Sequence, residues 1–272
     1  GLNIQGHMWE ESGWGYDLFD TKESLLIRYE KLFADLLPLI EDPGLSAAVY
    51  TQISDIETEN NGLLTYDRKI EKIDPEAAAK AAAGLLPPQL HSISSLFIDT
   101  MSVVLQAPLK NPEIRYTLDG SAPGPTSPLY TAPVLIWENS TLKTVAVYEN
   151  GISRMREFEF KKVTPEPALS APAHLSNGLR AEVYHGSWDT LPDFNKLVPV
   201  RRFTAATASL ENINKKTDIG IRFTGLVRVP KTSVYRFELI SDDGSSLHIN
   251  SRRLILNDNI HGMRARHRDI PL

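Results

Sequence analysis

Apolar and polar positions recur with one period in the first third of the chain and with another in the rest. After an aromatic loop with no clean period, Gly1 to Asp20, the residues Leu25, Leu26, Tyr29, Leu32, Phe33, Leu36 and Leu37 return every three or four positions, which predicts an amphipathic helix. Thr21, with Ser24 near it, supplies the N-cap, and Pro38 and Pro43-Gly44 close the helix. Ala47-Ala48-Val49-Tyr50 then reads as a buried strand. At Gln52 the pattern turns polar, and Asp55, Glu57 and Glu59 crowd together ahead of an Asn60-Asn61-Gly62 turn. A second helix is predicted within Glu71 to Leu86, where Pro75 precedes an alanine-rich run.

Pro87-Pro88 breaks this pattern, and the period falls to two. Short alternating runs fill about Leu96 to Phe160, with hairpin signals at Asp119-Gly120 and Asn150-Gly151. Together they predict a small antiparallel sandwich over residues 91–162. Lys161 to Asn177 is rich in Pro, Ala and Ser and reads as a semi-stiff linker, with 163–177 as its core. Alternation resumes at Gly178 and predicts a second sandwich over 178–272, with its last hairpin expected to be incomplete.

Composition narrows the possibilities only in part. There is no cysteine, so disulfides, thiolate metal sites and a cysteine nucleophile are excluded. No apolar run approaches the ~20 residues a membrane-spanning helix needs. The net charge of −5 conceals a gradient: residues 1–90 carry 7 basic and 16 acidic side chains, and 163–272 carry 15 and 11. An acidic first third argues against nucleic acid as its partner.

The run VYTQ-x3-DIE-x-E-x-NGLLTYDRK within Ala47 to Lys69 resembles the last barrel strand and following loop of family-2 glycoside hydrolases of the β-galactosidase/β-glucuronidase type. That resemblance implies that residues 1–86 are the terminal part of a (β/α)8 barrel, in which strand ends position the chemistry. It further implies a retaining enzyme acting on a β-linked oligosaccharide or polysaccharide, exported from the cell, with no cofactor and no nucleic-acid partner. Both catalytic Glu residues are expected upstream of Gly1, so this chain alone is expected to be inactive. Ile114 to Val134, IRYTLDGSAPGPTSPLYTAPV, resembles the C-terminal sandwich of chitobiase and β-hexosaminidases. The third part, with FTG and SDDGSSLHIN, resembles the protective-antigen-like sandwich of glycosidases, adhesins and toxins. The fold class expected is therefore multidomain α/β plus all-β, a barrel end followed by two antiparallel sandwiches.

Within the resembled family, Asp55 and Glu57 either face the sugar subsite or brace the loop, and Thr51 and Gln52 stand at the strand end beside them. Two residues apart on one loop, the acids would approach a sugar from the same side, which excludes them as the catalytic dyad. His7, Trp9 and Trp14 offer an imidazole for a hydroxyl and flat faces for a pyranose; the alternative is that they pack a barrel rim. In the third part, Asp242 and Asp243 are read as glycan contacts and as the place where Ca²⁺ would bind if one does, against an ordinary Asp-Asp-Gly turn. The arginines near the end (Arg252, Arg253, Arg264, Arg266, Arg268) read as a solvated face or as a surface for an acidic polysaccharide. The competing function is a non-enzymatic carbohydrate-binding or adhesion protein that uses this last sandwich.

Overall fold

A computed structural model describes residues 1–92, 94–109, 112–170, 172–210, 213 and 217–272. Ala171 of the predicted linker lies outside the described residues. The chain forms two compact units, residues 1–95 with 100–161 and residues 96–99 with 162–272.

In the first unit, helix α1 (Lys22–Leu36) begins where the sequence places it. The Ser24 N–H donates to Thr21 Oγ1 at 3.1 Å and the Thr21 N–H donates to Ser24 Oγ at 3.3 Å, a reciprocal capping box. One further turn, α2 (Pro38–Glu41), follows Leu37. Helix α3 (Pro75–Ala82) starts behind Asp74, whose carboxylate accepts the Glu76 N–H at 3.1 Å. Leu25, Leu26 and Tyr29 of α1 meet Ala77 and Ala81 of α3, together with Leu2, Ile73 and Leu86, in one apolar core.

Among the described residues no part of a barrel is evident, which corrects the α/β half of the expected fold class. Ala47–Tyr50 form no strand, and among the described residues no backbone hydrogen bond holds residues 47–51. The physical reason is that a parallel strand has no ladder of its own and is ordered only by neighbours on each side.

The remainder of the unit is a small β-sandwich. Ser140–Tyr148 is the central strand of one sheet, antiparallel to both Glu113–Thr117 and Arg156–Lys162. Met101–Val103 pairs with Val134–Ile136, and Gln89–Leu90 with Leu105–Gln106. Val103, Leu105, Ile114, Ile136, Leu142, Ala146 and Phe160 are buried, the inward set that the alternation predicts. The expected hairpin forms one residue earlier than the Asn150-Gly151 signal: Glu149-Asn150 is the turn, and Gly151 opens the strand Gly151–Ile152 that pairs with Ser140–Tyr148. Asp119-Gly120 does not join two paired strands: Asp119 Oδ1 accepts the Ser121 N–H at 3.0 Å and closes a local Asx turn instead.

In the second unit, Leu179–His185 lies between Arg201–Ala205 and Ile219–Thr224 in a three-stranded antiparallel sheet. Val234–Ser241 pairs with Arg264–Pro271, and Ser245–Ile249 with Arg252–Asn257. Asp242-Asp243-Gly244 therefore crosses from one strand pair to the other and is not a hairpin turn. The early linker is tied down within this unit, since the Glu166 N–H donates to the Pro271 carbonyl at 2.9 Å and its carboxylate meets Arg252.

Candidate functional site

The acidic loop after Tyr50 folds around one buried ion pair. Lys72, with a side chain of 0% exposure, donates from Nζ to Asp55 Oδ1 at 2.5 Å and to the Asn60 carbonyl at 3.2 Å. The same Asp55 oxygen accepts the Gly62 N–H at 2.9 Å. Gly62 has no room for a side chain, because a Cβ there would lie 2.3 Å from the Asp55 nitrogen. Burial pushes the Lys72 amine below its ordinary value, with the Asp55 carboxylate opposing. Asp55 thus sits at the centre of the loop, not on its surface.

Its neighbours divide between buried and open positions. Gln52 is buried and donates to the Glu59 carbonyl at 3.0 Å. Thr51 is exposed. Glu57 is also exposed, at a φ of +50° in the turn that Ile56 and Glu59 close with reciprocal backbone bonds of 3.1 and 2.9 Å. The Gly1–Asp20 loop is laced to this one. Trp14 exchanges backbone bonds with Thr58 and Asn60, both at 2.8 Å, and leaves its ring half-open beside Tyr16.

His7 and Trp9 come together with Asp67 and Tyr66. His7 Nδ1 lies 2.9 Å from Asp67 Oδ2, and the Trp9 ring stands edge-on to Tyr66 at 4.9 Å. His7 above all, with Thr65 Oγ1 and the Lys69 N–H, holds the Asp67 carboxyl well below the usual carboxylate range against the opposing effect of burial. The result is a partly exposed patch of imidazole, carboxylate and two rings. It stands apart from the Asp55–Lys72 knot in role: the patch can meet a ligand, and the knot holds the loop. An open depression of about 640 Å³, lined by Lys22, Leu26, Arg68, Ile70 and Pro75 among others, contains none of the residues read as sugar contacts.

In the second unit the exposed pair Asp242 and Asp243 is engaged on one side, where the His261 N–H donates to Asp243 Oδ1 at 2.9 Å. Nearby, Asp258 Oδ1 accepts N–H groups from Leu191 at 2.7 Å and Asn259 at 2.8 Å. Among the described residues no group of three or more carboxylate or imidazole side chains could close around a cation.

The densest ionic cluster of this unit was not singled out by the sequence. Glu182, 3% exposed, lies in register between Arg202 and Arg222. Arg222 donates from Nη2 at 2.6 Å and Nε at 2.9 Å, Arg202 from Nε at 3.1 Å, and Arg180 reaches it at 3.4 Å.

Two comparisons bear on these units. Residues 103–160 match the family model Fn3 associated, and residues 176–269 match the PA14 domain. The chain's sandwiches are carbohydrate-associated modules. No curated protein matches the chain. The first match replaces the narrower chitobiase likeness with a broader class, and the second agrees with the protective-antigen-like reading.

The PA14 module carries a prediction of its own. Arg222 first and Arg202 second hold the Glu182 carboxyl at about 2, below its ordinary 4.5. A lowered carboxylate stabilises the folded state fully above 4.5, and that contribution is lost as pH falls toward about 2. Glu182→Gln is therefore expected to unfold more readily at neutral pH and to lose part of the acid dependence between pH 4.5 and 2. Acid titrations of both proteins, followed by circular dichroism, check this; parallel curves would contradict it.

Proposed function

We propose that this chain is the C-terminal portion of a retaining glycoside hydrolase acting on β-linked sugars, of the β-galactosidase type. The observation that carries the reading is an apolar run left open to solvent immediately before a rigidly pinned loop. Val49, Tyr50 and Ile53 are 81%, 42% and 69% exposed, and the loop they lead into is fixed by Asp55, Lys72 and Gly62. A run of this kind is what a barrel strand presents when the strands and helices that would cover it are not there. The resemblance of Val49 to Lys69 to the closing strand and loop of family-2 enzymes supplies the sugar class, and the two carbohydrate-associated modules that follow agree with it.

In this reading His7, Trp9 and Tyr66 line the sugar pocket. His7 turns Nδ1 to Asp67, leaving Nε2 for a hydroxyl, and the Trp9 face takes the apolar side of a pyranose. Asp55 acts only by holding the loop. The hydrolysis itself, through a covalent glycosyl-enzyme intermediate, belongs to two carboxylates outside these residues. The purified 272-residue chain is expected to give no turnover of a chromogenic β-galactoside. The protein extended at its front by its own coding sequence is expected to turn it over. Hydrolysis by the 272-residue chain alone, or none by the extended protein, would overturn the proposal.

The PA14 module favours a second reading, a carbohydrate-binding protein in which exposed Asp242 and Asp243 accept glycan hydroxyls. Loss of glycan-array binding by Asp242→Asn/Asp243→Asn separates this reading from the first.

A further inference from the structure

Three arginines surround one carboxylate on the sheet formed by Leu179–His185, Arg201–Ala205 and Ile219–Thr224. Arg222 supplies Nε and Nη2 to Oε2 of Glu182, and Arg202 supplies Nε to Oε1. Arg202 and Arg180 add two more positive charges to the same row, leaving three guanidinium groups against one carboxylate. Crowding like charges is unfavourable unless a further anion joins them. Neutralising Glu182 takes one guanidinium charge and gives no reason for the other two.

The two added arginines face water. The Arg180 and Arg202 side chains are 62% and 63% exposed. Arg202 uses only Nε and Arg180 only one Nη2, so the other N–H groups of each have no acceptor among the described residues. Glu182 holds both heads in place, which leaves a fixed pair of forked donors open to solvent. Asp193, which acts on Arg222, is itself engaged by Lys196 at 3.3 Å and by the Asn195 N–H at 3.1 Å, and does not fill that role.

The same face carries an aromatic platform. Tyr184, two residues beyond Glu182, packs its ring 5.0 Å from Phe194. Its register partner is Gly220. A Cβ on Gly220 would lie 2.7 Å from Phe194 and 3.3 Å from Trp188, so the glycine lets both rings lie close on the sheet. Asn195, next to Phe194, accepts from Arg222 Nη1 at 2.9 Å and ties the platform to the arginine row. A half-buried tryptophan on the same sheet face as open guanidinium groups matches a sugar chain that bears an acid group: a sugar ring offers C–H faces and the acid takes bidentate N–H donors.

We propose that this face binds an anionic polysaccharide, its carboxylate or sulfate held by Arg180 and Arg202 and its sugar ring resting against Trp188. It lies on different strands from the Asp242-Asp243 turn and from the arginines of Arg252–Asn257 and Arg264–Pro271. The inference does not depend on the hydrolase reading, because it concerns the PA14 module alone.

Affinity electrophoresis of the full 272-residue chain tests it, in gels containing polygalacturonate, chondroitin sulfate or neutral galactan. Retardation is expected in at least one of the two anionic gels and not in galactan, and it is expected to weaken as salt rises. Which anionic gel retards the chain distinguishes carboxylate from sulfate. Arg180→Ala/Arg202→Ala is expected to weaken binding at least tenfold, and Arg180→Ala alone, which leaves Arg202 on Oε1 and Arg222 on Oε2, is expected to weaken it while melting as the parent does. Asp242→Asn/Asp243→Asn is expected to bind as the parent does. Mobility unchanged by both anionic polymers would overturn the proposal, as would retardation that survives the double arginine variant. Equal retardation by single-stranded DNA with the same dependence on the two arginines would overturn it in favour of a general polyanion surface.

Discussion

Asp55→Ala is expected to destabilise the first unit by about 3–5 kcal/mol, the usual cost of removing one partner from a buried ion pair. The site gives the lost charge no substitute. Lys72 is fully enclosed, and its remaining acceptor would be the Asn60 carbonyl at 3.2 Å. The Gly62 N–H would lose its acceptor as well, and an unsatisfied buried donor adds its own penalty. The geometry already runs close to its limit, since Asp55 Oδ2 and Asn60 Oδ1 have no partner. Because burial lowers the Lys72 pKa, the unfolded chain holds that proton more tightly than the folded one. The penalty is therefore full at neutral pH and is relieved as pH rises toward 10.5. Removing the carboxylate takes away the interaction that opposes the lowering, so urea unfolding of Asp55→Ala should gain more between pH 7 and pH 9.5 than the parent does. Asp55→Leu/Lys72→Met, which removes both charges, should recover much of the loss. A cost below about 1 kcal/mol for Asp55→Ala would show that the pair does not hold the loop.

This outcome bears on what the sequence could reveal. Helix α1 was legible from the spacing of Leu25, Tyr29 and Phe33 and from a cap whose partners are three residues apart. The sandwich strands were legible because alternation is a local signal, and the hairpin marked by Asn150-Gly151 because it joins strands adjacent in sequence, though its turn lies at Glu149-Asn150. Pairings over long separations were not. Asp119-Gly120 looked like a hairpin turn, yet the partner of Glu113–Thr117 is Ser140–Tyr148. Ala47–Tyr50 has the composition of a buried strand, but composition does not provide the neighbours that order one. For Asp55, as for Glu57, the sequence left open whether it faces a sugar or braces the loop, because it shows only the acids, while the lysine that pairs with Asp55 lies 17 residues away. Glu182 was hidden for the same reason: its strand reads as ordinary alternation, and its two closest arginines are 20 and 40 residues on. A polar residue at an inward position of an alternating run was the one local hint.

Arg154→Ala is expected to be nearly as damaging, and its effect should fall on the join between the helices and the first sandwich. Arg154 grips Glu30 of α1 with two donors, Nε to Oε1 at 2.5 Å and Nη2 to Oε2 at 3.0 Å, and Nη2 also reaches Glu23 at 3.0 Å. Glu30 is 5% exposed and sits on the face of α1 that buries Leu26 and Tyr29. Without the guanidinium its charge is left enclosed by the helix core, at a cost of about 3–5 kcal/mol. The other ties across this join are weaker. Tyr148 donates to the Leu86 carbonyl at 2.8 Å, its phenol pushed up to about 12 by burial, and Asn150 reaches the Ala83 carbonyl at 3.4 Å. Tyr148→Phe should therefore cost only about 1 kcal/mol. Arg154→Lys keeps a charge near Glu30 but loses the fork, and should fall between the two. Hydrogen exchange in α1 is the direct readout: protection of residues 25–33 should drop in Arg154→Ala while the Ser140–Tyr148 strand keeps its own. If the helix stays protected, the sandwich is a passenger; if protection is lost, the Fn3-associated module acts as a clamp that holds the helical segment, and through Leu86 and Ile73 the pinned loop, in place.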